Sequence, residues 1–226
     1  MTREGTDMLS DALSFPRSGD DWLPTLVIGA LLIPLSVLVI PAFILQGYFA
    51  RVIRAAATND STAPSFTDWG DLLVTGLKMA VIGFAYSLVI NVPSFGLQFL
   101  VAFGANESSV GVLLVVMLLV VLALSLVVAF FAPAALVNFA IEDSFGAAFD
   151  FGTIWSGVAT SEYVVAWLLA MVVGVVGFLV GAVFSVVLVG FLVLFYVQIA
   201  TYYLLARGFV KGLGRTPGES ATTTTL

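Results

Sequence analysis

The chain has 226 residues, of which 61% are hydrophobic and 10% charged, and a formal net charge of −6. It contains no cysteine and no histidine, which excludes disulfides, thiolate metal sites and any chemistry that needs an imidazole as ligand or proton shuttle. No basic patch is present, so nucleic acid is not an expected partner, and no cofactor is expected.

The first segment, residues 1–21, reads as interfacial. Met8, Leu9, Ala12, Leu13 and Phe15 alternate with polar positions in the pattern of a short amphipathic helix. Its acids (Glu4, Asp7, Asp11, Asp20 and Asp21), and its lack of a basic start and an apolar middle, do not suit a cleaved signal peptide. Trp22 marks the membrane boundary, where indoles sit well.

Residues 22–212 read as one transmembrane helical domain. The expected fold is all-α, a polytopic bundle of about five spans with short interfacial helices. The first apolar block, residues 23–48, contains Pro24, Pro34 and Pro41. About 26 residues make ~39 Å of helix, enough for one tilted span but not for two crossings of a ~30 Å core. A single kinked span is the favoured expectation, and a re-entrant hairpin turning near Ile40 and Pro41 is the alternative, giving six hydrophobic helices. A polar loop over residues 51–70 follows. The second block, residues 72–103, is broken by Pro93, and a polar turn over 104–109 leads into the third, residues 110–139. Residues 141–162 are wetter and suit one or two interfacial helices. Residues 163–206 carry no charge and, as one helix, would reach roughly twice the bilayer core, so they read as two spans turning between Gly181 and Gly190. Residues 213–226, ending in a threonine run, read as a disordered polar tail.

Basic residues cluster around the first loop (Arg51, Arg54 and Lys78) and after the last span (Arg207, Lys211 and Arg215), which places both clusters on the cytoplasmic side. Five spans put the amino terminus outside. A re-entrant first block puts every basic residue inside. The acids outnumber the bases 14 to 8, and the excess in the wet segments suits strong salt, as in a halophilic archaeon.

The candidate polar positions form two sets. Arg51, Arg54, Asp68, Asp71 and Lys78 lie near one boundary, where arginines bind lipid phosphate, pair with acids across the loop, or obey the charge rule. Lys78 shares a helix face with Asp71 and either snorkels to the interface or marks an intramembrane site. Gln46, Asn91, Gln98, Asn138 and Gln198 lie in or near spans, where an amide needs a partner on another helix or lines a substrate path. Gly177 and Gly181 have the small-xxx-small spacing of close helix packing. No catalytic, cofactor-binding or metal-ligating residue is assigned.

Several strings are more specific than this pattern: "LSDALSFPRSGDDWLPTLVIGALL", "IPAFILQGYFARVIRAAA", "APSFTDWGDLLVTGLKMAVIGFAY", "GAAFDFGTIWSGVATSEYVVAWL" and "FYVQIATYYLLARGFVKG". Together, from about Leu9 to Gly212, they resemble a family of small archaeal and bacterial membrane proteins called domain of unknown function four-zero-one-three. Gly47, Tyr48, Arg51 and Arg54, followed by Pro64, Phe66, Asp68 and Trp69, carry the most specific part. The resemblance implies a membrane architecture and no reaction.

Three functions fit these residues. The expected one is a non-enzymatic scaffold or membrane-organising protein of the cell membrane, with lipids, a second copy or another membrane protein as partner. A small transporter or channel would use the proline-broken helices. A lipid-modifying enzyme would need clustered acids, and the spacing of Asp68, Asp71, Glu142, Asp143 and Asp150 matches no metal motif.

Overall fold

The computed structural model describes residues 3–103, 107–185 and 189–215, and among them every regular element is a helix. In chain order these are α1 (Arg3–Ser14), α2 (Trp22–Leu35), α3 (Ile40–Ala57), α4 (Trp69–Phe103), α5 (Glu107–Glu142), α6 (Phe151–Val158), α7 (Ser161–Phe184) and α8 (Val189–Gly212). Short 3-10 turns lie at Phe15–Arg17, Ser36–Leu38 and Phe145–Phe149. Four segments are long and apolar enough to cross a membrane: Trp69–Phe99, Gly111–Glu142, Ser161–Phe184 and Val189–Gly212. A fifth is added if α1 and α2, bent by 88°, count as one broken span. The expected tail over residues 216–226 lies outside the described residues, as do positions 104–106 of the expected turn, whose remaining positions open α5.

The first apolar block does not form the favoured single kinked helix. α2 stops at Leu35, one residue past Pro34, and Val39 adopts φ 68 and ψ −53. Positive φ is costly for a β-branched side chain, so the backbone is strained at this turn. Pro41 then opens α3, where its missing N–H leaves no bond unmade. The chain has turned back. Trp22 and Thr25 share a pocket with Pro64, and the Tyr48 hydroxyl donates to the Pro64 carbonyl at 3.1 Å. A continuous helix would hold residues 22 and 48 about 39 Å apart. The hairpin alternative is therefore the one that forms, with a tip of exposed apolar residues (Val37, Leu38, Val39 and Ile40).

α3 is the hub. Tyr48, Phe49, Val52, Ile53 and Ala56 are buried against α4, α5 and α8. Tyr48 stacks on Phe66 at 4.4 Å and lies 5.3 Å from the Phe195 ring, while Phe49 stacks on Tyr202 at 4.8 Å. The α3–α4 crossing is set by two glycines. A Cβ on Gly47 would lie 1.9 Å from the Leu72 carbonyl oxygen, and one on Gly76 would lie 1.7 Å from that of Phe43. Only glycine lets the two backbones meet. α3 ends where Asn59 takes a left-handed conformation (φ 60) and the Asp60 N–H bonds back to the Ala55 carbonyl.

α7 and α8 form the second tight pair, with Gly177 and Gly181 packed against Val197 and Leu194. Their helices end at Phe184 and begin again at Val189, inside the expected turn. On α4 the core ends at Tyr86. No described side chain from residue 87 to 133 is buried. Residues 87–103 of α4 and 107–133 of α5 form a two-helix arm with a mostly apolar surface.

Candidate functional site

The charged residues gather at the end of the fold where α3 stops and α4 starts. Arg51 donates to the Thr67 carbonyl at 2.6 Å and pairs with Asp71 at 2.9 Å. Arg54 donates through Nε to the Ala140 carbonyl at 2.7 Å and pairs with Asp143 at 2.8 Å. Arg215 pairs with Glu142 at 3.0 Å. The last two pairs join α3 and the end of α8 to the end of α5. Glu142 is the last residue of α5 and Asp143 the next, so the end of this helix is fastened twice.

Asp150 opens α6. Its carboxylate accepts from the Gly152 and Thr153 N–H groups at 3.1 and 3.2 Å and from the Thr153 hydroxyl at 2.7 Å. The Thr153 hydroxyl and then these N–H groups hold its carboxyl below the ordinary carboxylate range. The signal was local: an acid just before a helical run is a preferred N-cap.

The other sequence candidates separate. Asp68 takes a left-handed φ of 50, and its carbonyl, not its carboxylate, faces Arg51 at 3.4 Å. Lys78 is half-buried on α4 and makes no ion pair with Asp71, which is bound to Arg51. Asn138 is buried and reaches another element, donating to the Ala147 carbonyl at 2.9 Å. Asn91 and Gln98 donate to carbonyls one turn back in their own helix, those of Ser87 and Ser94. Gln46 and Gln198 lie on α3 and α8, and the structure does not bring them into this polar end.

Gln198 instead lines a groove of about 430 Å³ between α2, α5, α7 and α8. Ile33, Pro133, Phe178 and Leu194 make its walls, and Thr201 and Tyr202 share its polar edge. Beside it lies an arrangement that sequence reading missed. Pro133 cannot donate to the carbonyl four residues back, that of Ala129. The Trp167 indole N–H fills the gap at 2.9 Å, and the Tyr163 hydroxyl donates to the next carbonyl, Phe130, at 2.8 Å. Neither proline breaks its helix: α5 runs through Pro133, and α4 runs through Pro93, the expected break of the second block. Which donor answers the free Ala129 carbonyl depends on how α7 lies against α5.

Among the described residues, no group of three or more Asp and Glu side chains is placed to hold a metal ion. The polar chemistry on view is fastening: arginines on carboxylates and carbonyls, and an indole on the carbonyl that Pro133 leaves free.

A family model described as "Protein of unknown function (DUF4013)" matches residues 34–186. That stretch contains the Arg51 and Arg54 latches, the α4–α5 arm and Pro133. No curated protein and no solved structure matches the chain.

Proposed function

The chain belongs to the DUF4013 family of proteins of unknown function, and from its geometry we propose a multi-pass protein of the cell membrane with a non-enzymatic, scaffolding or assembly role. The observation that carries this is the α4–α5 arm. Val92 and Phe95 of α4 and Val112, Leu118, Leu122 and Leu126 of α5 are each more than half exposed. The arm offers a long lateral surface to lipid or to another membrane helix, while Arg51, Arg54 and Arg215 at the opposite end are spent on holding the fold together. In this reading the polar end faces the cytoplasm, and the acid-rich, lysine-poor wet segments suit a salt-rich milieu.

The test uses single cysteines at Phe95, Val112 and Leu122 in this naturally cysteine-free chain. In native membranes these positions are expected to crosslink to a second copy or to another membrane protein, and a cysteine at buried Ala134 is not. Failure of all three arm positions to crosslink overturns the scaffold reading. So does any single substitution of Asp68, Asp71, Lys78, Asp143 or Asp150 that abolishes a cellular phenotype while insertion and abundance stay normal.

A second reading, a small transporter, draws on the groove at Gln198, which places an amide midway along α8 beside the proline-containing turn of α5. Gln198→Leu separates the two readings, because it would block a transport path and leave crosslinking through the arm intact.

A further inference from the structure

The amides of the long apolar helices are not equally provided for. Asn138 is buried and donates to the Ala147 carbonyl of another element at 2.9 Å. Asn91 and Gln98 are exposed on α4, inside the apolar segment Trp69–Phe99. Each spends one N–H on its own helix, Asn91 on the Ser87 carbonyl at 2.8 Å and Gln98 on the Ser94 carbonyl at 3.4 Å. The second N–H of each amide, and both side-chain oxygens, meet no partner among the described residues. In water such a group is solvated. In hydrocarbon it is not, and an exposed amide is costly there, so a partner from outside the chain is called for.

The polar residues of this half of α4 fall on one line. Ser87, Asn91, Ser94 and Gln98 are spaced by four, three and four, the repeat that keeps one seam of a helix against a partner helix in a left-handed pair. At 3.6 residues per turn they lie within about 60° of arc. Ser87 and Ser94 turn their hydroxyls back onto the Phe84 and Ile90 carbonyls, at 2.7 and 2.8 Å. They need no partner, and as small residues between the amides they let a second backbone come near.

A carboxamide both donates and accepts, so the seam is complementary to itself. A two-fold axis along the membrane normal sets two copies of α4 side by side and parallel. It places Asn91 opposite Asn91 and Gln98 opposite Gln98 at equal depth, where each pair exchanges N–H and carbonyl reciprocally. Among the described residues no other helix presents two exposed amides two turns apart, so any other surface of this chain would leave one of them unmet. Lipid tails offer neither donor nor acceptor.

We propose that the seam of Ser87, Asn91, Ser94 and Gln98 on α4 docks on the same seam of a second copy, forming a parallel two-fold dimer in the bilayer. With no hydrophobic drive between helices in lipid, interhelical hydrogen bonds and close packing carry the association. This deepens the scaffold reading and rests on its view of the arm as a lateral contact surface: the partner is a second copy, and the amide seam is where it docks.

The test is energy transfer between donor- and acceptor-labelled full-length chains in phosphatidylcholine vesicles, over a series of protein-to-lipid ratios, with the dye on a cysteine at Ser61. Wild type is expected to give a saturable dimer signal. Asn91→Leu and Gln98→Leu are each expected to weaken association about tenfold, the scale of one reciprocal pair of interhelical hydrogen bonds, and the double variant more than either. Val89→Leu, on the opposite side of α4, is expected to leave it unchanged. Cysteine crosslinking in native membranes reads the same interface without removing an amide. Ser94→Cys is expected to form a disulfide between copies on oxidation, and Val89→Cys is not. A wild type that stays monomeric over the whole series overturns the dimer. Unchanged association in the double leucine variant overturns the seam, and so does a Val89→Cys disulfide that forms as readily as that of Ser94→Cys. Crosslinking of Ser94→Cys to a different protein, with none between copies, overturns the second-copy assignment and leaves the scaffold reading standing.

Discussion

The Trp167 indole N–H donates to the Ala129 carbonyl at 2.9 Å, and Ala129 is the residue whose carbonyl Pro133 leaves without a backbone donor. A tryptophan on α7 thus completes the hydrogen bonding of α5. In hydrocarbon no water is at hand to do this, so the carbonyl must be met by another helix.

Trp167→Phe keeps most of the ring and removes the donor. The expected cost is about 1–3 kcal/mol, that of leaving one acceptor unsatisfied. Pro133→Ala restores a backbone N–H opposite Ala129, so Trp167→Phe should cost distinctly less in that background. A double-mutant cycle measured by unfolding in detergent reads the coupling. Additive losses would show that the indole contributes packing alone.

The glycine crossing of α3 and α4 should tolerate no side chain. Gly47→Ala and Gly76→Ala each push a methyl into a backbone carbonyl that cannot rotate away. A loss of about 3 kcal/mol or more is expected for each, the upper end of overpacking. Gly83, with nothing within 4 Å of its Cβ position, is the control. There, alanine should be neutral or stabilising by up to about 1 kcal/mol, from helix propensity. Thermal unfolding of the three variants side by side checks the contrast.

The hairpin makes a topological prediction. Ser18 sits against Ala63, its hydroxyl accepting from that N–H at 2.9 Å, so the two ends of the hairpin share one side. Cysteines at Ser18, Ser61 and Lys211 should all be protected from an impermeant thiol reagent in intact cells and become labelled in inverted vesicles. A cysteine at Val37, in the apolar tip, should resist both. Labelling of Ser18→Cys from outside would mean that the first block crosses.

Asp150 gives the pH dependence. Its folded-state pKa is lowered, so its contribution to stability is fully present above the ordinary carboxylate value, near 4. That contribution is lost as the pH falls below this value through the lowered folded pKa. Wild type should therefore lose stability on the acid side below about pH 4, and Asp150→Asn should flatten that limb while changing little between pH 6 and 8. Unfolding curves from pH 7 down to 2 measure it. Identical acid limbs would place the loss elsewhere.

The latch at Arg54 should divide into unequal parts. Asp143 is mostly exposed, its side chain at 66%, so Asp143→Asn is expected to cost under about 1 kcal/mol and to lose its effect in high salt. Arg54→Ala also removes the donor to the carbonyl of buried Ala140 and should cost about 1–2 kcal/mol more, largely independent of salt. Chemical unfolding at low and high salt distinguishes the two.

The sequence by itself determined the helical class and the long apolar helices, which follow from a one-dimensional quantity, the length of each uncharged run against the bilayer. It placed the start of the polar loop at residue 51, whereas α3 runs on to Ala57. It left the first block between two forms, because Pro34 and Pro41 announce breaks but not the direction the chain takes after them. That direction was decided by contacts far along the chain, Tyr48 with Pro64 and Ser18 with Ala63, which pin both ends of the hairpin to one loop. The polar candidates divide in the same way. The pairing of Arg51 with an acid across the loop was one of the alternatives the sequence left open, and the structure selects Asp71. Arg54 with Asp143 and Trp167 with Ala129 became visible only with the helices in place. A hydrogen bond depends on distances of a few ångströms, and residue spacing fixes such distances only within a single turn or helix.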